Sequence, residues 1–194
     1  MRFFSKIVTK KSDEELLHSL GRGNSSALDE LYSRYAKRIV FYCTKMLSDP
    51  QKSEDIVHDI FLKIIENPSI VDTQKSFSTW VFSCAYNACK NEYRRRQTKE
   101  IPHNELDEHL VQNADFIHDT DIALFKELLE QSLDELSSEH RTVFVLRYTE
   151  DFSLKEIANV TGIPEGTVKS RLYYAVKKLA QQLHSFSHYY TDIS

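Results

Sequence analysis

Glycine and proline are scarce in this chain of 194 residues, which contains four of each. All eight stand where a helix could begin or end, so long stretches without a helix breaker remain between them. Hydrophobic residues make up 41% of the chain, which is enough for real cores and excludes a wholly disordered protein. The apolar residues recur at helical spacing, and the sequence therefore predicts an all-α protein.

Several kinds of functional signal are also missing. No apolar run approaches the roughly 18 residues that span a bilayer, and the first residues lack the features of an export signal. The three cysteines, Cys43, Cys84 and Cys89, form no Cys-x-x-Cys pair, which is typical of reduced thiols in a cytoplasmic protein. We expect no metal, no cofactor, no small-molecule substrate and no catalysis, since no ligand set or nucleophile–base pair stands out. His109 and His118 are expected to be solvated.

The net charge of −4 is unusual for a nucleic-acid-binding protein, because such binding depends on Lys and Arg at the phosphates. The basic residues are clustered, however. They lie at the start of the chain (Arg2, Lys6, Lys10 and Lys11), in the triplet 94–96, and in the segment 169–178. An acidic chain with basic patches indicates DNA contact that is assisted by a larger partner.

Residues 153–184 have the pattern of two helices joined by a tight turn. Ser153 and Glu156 have capping-box spacing, Gly162 suits a left-handed turn, and Pro164 suits the first turn of the next helix. The second helix has a buried apolar stripe and an opposite polar, basic face, which is the geometry of a helix-turn-helix that enters a DNA major groove. An ordinary helical hairpin with solvated cations is the alternative. The candidate DNA-contacting residues on this face are Thr167, Lys169, Ser170, Arg171, Tyr173, Tyr174 and Lys177.

The chain divides into two predicted helical domains. Residues 1–97 form the first, with helices from Ser12, Ser26, Ser53 and Phe77. Residues 98–121 are strongly acidic and weakly periodic, and they predict an extended, flexible linker. Residues 122–194 form the second domain, with helices over 122–136 and 138–148, the helix-turn-helix pair to about residue 184, and a frayed tail.

Two helices of the first domain have unusual exposed faces. In the helix 53–66, an apolar stripe that includes Ile64 and Ile65 is expected to face inward, while Asp55, His58 and Asp59 face solvent. In the helix 77–96, aromatic rings interleave with amides and cations, a pattern typical of a platform for single-stranded nucleic acid. Phe82 and Tyr93 are expected in the core instead. The candidate contacts are Trp80, Tyr86, Asn87, Lys90, Asn91, Arg94, Arg95 and Arg96.

The order of these motifs resembles that of a bacterial sigma factor. The segments are Ser-Glu-Asp-Ile-Val-His-Asp-Ile-Phe, Phe-Ser-Thr-Trp-Val, Tyr-Arg-Arg-Arg, an acidic linker, Leu-Ser-Ser-Glu-His-Arg-Thr-Val-Phe-Val-Leu-Arg-Tyr and Gly-Thr-Val-Lys-Ser-Arg-Leu. More narrowly, the chain is similar to the extracytoplasmic-function class, which keeps only the second and fourth conserved regions of the family. The resemblance covers residues 13–184.

This resemblance implies a promoter-specificity subunit of RNA polymerase that is monomeric when free. Asp55, His58 and Asp59 would contact the clamp helices of the polymerase β′ subunit, although the family commonly has glutamine at the position of His58. The fourth region would contact the β flap, and an anti-sigma factor would be a further partner. The helix 77–96 would read the −10 element, and the phosphates there would be held by residues 94–96.

The resemblance also implies roles in the fourth region, where Lys169, Ser170, Arg171 and Tyr173 match the positions that read the −35 element. Some relatives have arginine in place of Tyr174, so the preference at that position is expected to differ. A stand-alone helix-turn-helix regulator is the alternative function, because residues 138–184 also resemble the output domains of response regulators. Residues 53–96 argue against it, since such a regulator has no reason to contain them.

Overall fold

A computed structural model describes residues 11–72, 74–98 and 120–191, and within these ranges the regular structure is helical, with no strand. The all-α prediction is confirmed. The helices are α1 (Asp13–Gly21), α2 (Ser25–Leu47), α3 (Pro50–Glu66), a short 3₁₀ turn (Pro68–Ile70), α4 (Phe77–Thr98), α5 (Thr120–Asp134), α6 (Ser138–Tyr148), α7 (Leu154–Thr161) and α8 (Glu165–Thr191).

Some predicted features lie outside the described residues. These are most of the acidic linker (residues 99–119, with His109 and His118) and the basic cluster Arg2, Lys6 and Lys10. Among the described helices, none combines the length and the apolar character that crossing a membrane would require.

Helix α3 begins three residues earlier than the sequence predicts. The side chain of Asp49 accepts a hydrogen bond from the backbone N–H of Lys52 at 2.9 Å, and Pro50 occupies the first turn, where its missing N–H is no loss. Ser53 is therefore inside the helix, where its buried hydroxyl donates to the carbonyl of Asp49 at 2.7 Å. The capping box expected at Ser12 and Glu15 is present.

The C-terminal part of the chain also differs from the prediction. Helix α5 begins at Thr120, inside the segment predicted as linker. Helix α8 continues to Thr191, beyond the end at about residue 184 that the sequence predicts. This segment contains neither glycine nor proline, and nothing in it stops a helix that is already formed.

Helices α1 to α4 pack around one apolar core. The side chains of Leu31, Ile39, Tyr42, Ile64 and Phe82 are completely shielded from solvent there. Helices α5, α6 and α8 share a smaller cluster that includes Leu133 and Leu179.

The two halves of the chain are in contact with each other. Helix α7 packs against α4, and α6 packs against α2. The rings of Phe82 in α4 and Phe152 before α7 meet edge to face, with centroids 5.1 Å apart. The larger buried cluster consequently continues from the first half into Val143, Ile157 and Val168 of the second half.

Candidate nucleic-acid interface

Helix α4 exposes a continuous polar and basic face. Asn87, Lys90, Asn91 and Arg94 are exposed and follow the spacing i, i+3, i+4 and i+7, which places them along one side of the helix. The ammonium group of Lys90 lies 5.9 Å from the ring centroid of Tyr86, close enough for a cation–π contact. Amides, ammonium and guanidinium groups in one row can donate hydrogen bonds to bases and phosphates together.

The aromatic platform is smaller than the sequence pattern suggests. Phe77 and Phe82 are buried in the core, and the hydroxyl of Tyr93 donates to a backbone carbonyl of α2. Trp80 and Tyr86 are half-buried and retain some solvent access. The Trp80 ring stacks on the buried Phe77 ring with a centroid separation of 6.0 Å. This contact with the core fixes the orientation of the Trp80 ring. Tyr93 is also half-buried, but its hydroxyl is bonded within the fold, so Trp80 and Tyr86 are the rings of the interleaved set that remain for a nucleic-acid base.

The three consecutive arginines have different environments. The guanidinium of Arg95 donates to both carboxylate oxygens of Glu92, at 2.9 and 2.7 Å. Arg96 bonds to Glu92 at 3.2 Å, to the carbonyl of Leu47 at 3.1 Å and to the carboxylate of Asp49 at 2.9 Å. The hydrogen bonds from Arg95, followed by those from Arg96, lower the pKa of the buried Glu92 carboxyl. Arg94 is exposed and forms no ion pair with the described residues. Its guanidinium is therefore available for a phosphate, whereas those of Arg95 and Arg96 are bonded to the protein.

The predicted helix-turn-helix is formed by α7, a turn and α8. The capping box is present at its start, because the backbone N–H of Glu156 donates to the Ser153 hydroxyl and Glu156 accepts from the backbone N–H of Ser153. Gly162 has φ of +71°, the left-handed conformation that glycine adopts without steric cost. Val168 is completely buried and anchors α8 against the core.

The outward face of α8 contains every residue that the sequence selects there. Thr167 and Arg171 are half-buried, while Lys169, Ser170, Tyr173, Tyr174 and Lys177 are exposed. The hydroxyl of Ser170 donates to the Thr167 carbonyl at 3.0 Å.

Arg171 also faces an acidic group of α6. A backbone N–H at the start of α6 lowers the pKa of the Glu139 carboxyl, and the positive charge of Arg171 lowers it further.

A third surface lies on α3. Asp55, His58 and Asp59 are exposed there, as the sequence predicts. Together with α2, this helix borders a shallow groove of about 340 Å³. The groove is lined by Leu28, Asp29, Tyr32, His58, Asp59, Phe61, Leu62 and Ile65.

The apolar part of this groove was not identified from the sequence. Ile65 was expected to face the core, but it is 57% exposed, and Leu62 is 52% exposed. Ile65 lies next to Ile64, which occupies the core position completely, and the helical rotation of 100° per residue turns Ile65 outward. Leu62 follows Asp59 by three residues and Ile65 follows it by six, a spacing that could have revealed an apolar edge beside the acidic residues.

In the part of the chain that the structure describes, no group of three or more His, Cys, Asp or Glu side chains is close enough together to hold a metal ion. The surfaces therefore consist of amides, hydroxyls, cations, carboxylates and rings. An exposed basic face on α4 and a helix-turn-helix in the same chain are features of a helical nucleic-acid-binding protein.

Comparison with known proteins identifies the family. The family model described as sigma-70 region 2 matches residues 31–99, and the one described as sigma-70, region 4, matches residues 126–179. The ECF RNA polymerase sigma factor SigL of Mycobacterium tuberculosis is 31% identical over 150 residues, which cover 77% of this chain and 84% of SigL. The ECF RNA polymerase sigma factor SigW of Bacillus subtilis is 29% identical over 171 residues, which cover 84% of this chain and 91% of SigW.

Solved structures have the same fold. CnrH, in complex with the cytosolic domain of CnrY, superposes with a TM-score of 0.68 at 20% identity and covers 90% of this chain and 99% of CnrH. RpoE of Bartonella quintana, in complex with the anti-sigma factor NepR, has a TM-score of 0.65 at 20% identity and covers 80% of this chain and 96% of RpoE. The chain belongs to the extracytoplasmic-function class of the sigma-70 family of RNA polymerase sigma factors. The resemblance identified from the motifs is confirmed, and the stand-alone regulator is not favoured.

Proposed function

We propose that this protein is a promoter-specificity subunit that binds core RNA polymerase and directs initiation at promoters with matching −10 and −35 elements. One observation carries the proposal: a region 2 helix with an exposed amide and basic face and a region 4 helix-turn-helix occur in one chain, in family order. Its place of action would be the cytoplasm, where the polymerase works, and it would catalyse no reaction of its own.

At the −10 element, α4 would contact unpaired bases. Trp80 and Tyr86 provide ring surface for stacking, which contributes about 1–3 kcal/mol per base. Asn87 and Asn91 have the donors and acceptors needed to read base edges, and Lys90 lies between them in sequence. Arg94 extends the row toward the backbone phosphates. Arg95 and Arg96 would contribute to the local positive field, while their hydrogen bonds to the protein hold α4 in place.

At the −35 element, α8 would lie in the major groove with its N-terminal turns toward the bases. Lys169 and Arg171 can donate to guanine, and Ser170 can pair with several bases. Tyr173 and Tyr174 would add apolar contact, since their rings meet edge to face with centroids 5.4 Å apart and are both largely exposed.

Core polymerase would bind at the α3 surface. Asp55, His58 and Asp59 would pair with polar groups of the β′ clamp helices, and the exposed Leu62 and Ile65 would be covered by the partner. A mixed surface of this kind, apolar at the centre with charges at the edge, is typical of protein interfaces. Region 4 would contact the β flap. An anti-sigma factor is a further proposed partner, supported by the relatives CnrH and RpoE, whose structures were solved as complexes.

Run-off transcription with purified core polymerase and a promoter library tests this function. We expect transcripts that depend on the protein and come from promoters sharing two short, spaced motifs. A variant with both Asp55→Ala and Asp59→Ala should bind core about tenfold more weakly, because it loses two charges at the interface. Glu127→Ala, which removes an exposed acid from α5, is the matched control. The absence of both transcripts and core association would refute the proposal.

A further inference from the structure

Three aromatic rings from two helices meet at the edge of α8. The ring of Tyr174 in α8 meets the imidazole of His140 in α6 at 63°, with centroids 6.4 Å apart. It also meets the ring of Tyr173 at 75°, with centroids 5.4 Å apart. Both pairs are edge to face, an arrangement that aromatic rings favour. We refer to His140, Tyr173 and Tyr174 as the aromatic cluster.

The imidazole of His140 is held by the start of its own helix. Ser137 caps α6, and its hydroxyl accepts a hydrogen bond from the backbone N–H of His140 at 3.4 Å. The same hydroxyl lies 2.9 Å from Nδ1 of the imidazole, to which it can donate its proton. The imidazole is thus half-buried and hydrogen-bonded, and it forms a firm support for the Tyr174 ring that lies against it.

Tyr174 lies in line with residues that the helix-turn-helix would present to DNA. It follows Ser170 by four residues and Thr167 by seven, so the three residues share one side of α8. Tyr174 is 58% exposed, although one side of its ring is against His140. The aromatic cluster therefore presents a supported apolar surface where α8 would face the major groove.

This surface suits one base of the major groove better than the other three. Guanine and adenine present donor and acceptor atoms there, cytosine presents an amino group, and thymine alone presents a methyl group. A tyrosine ring has no pair of donors for a guanine edge, and a polar base edge pressed against it would lose its water without a partner. A methyl group gains free energy when the ring covers it.

We infer that the aromatic cluster is a specificity site for thymine in the −35 element. The Tyr174 ring contacts the C5-methyl group of one thymine, and His140 is the positioning residue that holds this ring. The inference rests on the proposed function, because it names a base that the α8 surface reads. It follows that the promoters of this protein share at least one A·T pair in the −35 element.

Replacing single thymines by deoxyuridine tests the contact, because this change removes the methyl group and keeps every hydrogen-bonding group of the base. The DNA is a promoter that supports run-off transcription, each thymine of its −35 element is replaced in turn, and affinity is measured with the reconstituted holoenzyme. We expect one replacement to lower the affinity about fourfold, the effect of exposing one methyl group. Tyr174→Ala should abolish this difference, whereas Tyr174→Phe, which keeps the ring, should preserve it. Equal affinity after every replacement, or a −35 element without an A·T pair, would overturn the inference.

The positioning role of His140 has its own readout. His140→Ala should remove most of the difference between thymine and uracil, and His140→Phe, which keeps a ring at this place, should restore it. A merely structural defect would weaken binding to both DNAs equally, and that result would refute the positioning role. Tyr148→Ala is the matched control and should keep the full difference, since Tyr148 is 59% exposed and its ring packs against Phe144.

The same experiment separates this inference from the proposed function. Transcripts that depend on the protein, with no effect of uracil at any position, would overturn the inference and leave the proposed function standing. A wild-type chain that gives no transcripts from the promoter library would refute the proposed function, and the inference with it.

Discussion

Replacing Arg94 and Arg96 separately tests whether two neighbouring arginines of one motif have different roles. The sequence pattern predicts the same phosphate-binding role for both, but their hydrogen bonds within the protein differ. Arg96 makes three hydrogen bonds within the protein, two of them to carboxylates, and its side chain is 40% exposed. The side chain of Arg94 is exposed and makes none with the described residues.

The expected magnitudes follow from these contacts. Hydrogen bonds to charged groups contribute about 1.5–3 kcal/mol each when buried, but solvent screens those of a side chain as exposed as Arg96. Glu92 also keeps Arg95 as a partner. Arg96→Ala should therefore lower the free energy of unfolding by about 1–2 kcal/mol, which corresponds to a decrease in Tm of about 2–8 °C. Arg94→Ala should change it by less than about 0.5 kcal/mol.

The two substitutions should have the opposite order of effect on DNA binding, with the larger loss from Arg94→Ala. If Arg94 neutralises one phosphate of the single-stranded −10 segment, its loss should reduce the slope of log K against log salt by about 0.7. Arg96→Ala should leave this slope unchanged. Thermal unfolding followed by circular dichroism gives the first quantity, and fluorescence anisotropy of the reconstituted holoenzyme with a labelled oligonucleotide gives the second. The reasoning is refuted if Arg96→Ala reduces the slope as much as Arg94→Ala does and leaves Tm unchanged.

Three further predictions concern region 4 and its contact with region 2. Arg171→Ala should weaken binding to the matching −35 element by about 1–3 kcal/mol, measured with matched and scrambled duplexes; equal losses on both would show a phosphate contact instead. Gly162→Ala should destabilise the protein by about 1–2 kcal/mol in chemical denaturation, because φ there is +71° although no neighbouring atom is close. Burial raises the pKa of the Glu150 carboxyl in the folded protein, so the folded chain binds this proton more tightly than the unfolded chain does. The contribution of Glu150 to the free energy of unfolding should accordingly increase as the pH falls through the raised pKa toward the ordinary value, and Glu150→Gln should remove this dependence in chemical denaturation.

Much of the local structure was predictable because its causes are local. Capping boxes at Ser12 and Ser153, and the left-handed glycine at 162, depend on residues within four positions of one another. The start of α3 was placed too late because Ser53 also fits a capping position, while Asp49 and Pro50 together make the stronger helix start. The outward position of Ile65 was missed because a side chain at the margin of an apolar stripe can face either way.

The sequence by itself determined the helical class, the order of the two regions, the family, and the residues that face outward on α4 and α8. These features follow from helical periodicity and from motifs whose residues are close together in the chain. Only the tertiary structure distinguished Arg94 from Arg96, because the acceptors of Arg96 include Asp49, which is 47 positions away in the chain. Only the tertiary structure likewise revealed the docking of the two halves through Arg38 and Glu150, which are 112 positions apart. Contacts at such separations depend on how whole helices pack, and no local pattern of residues encodes them.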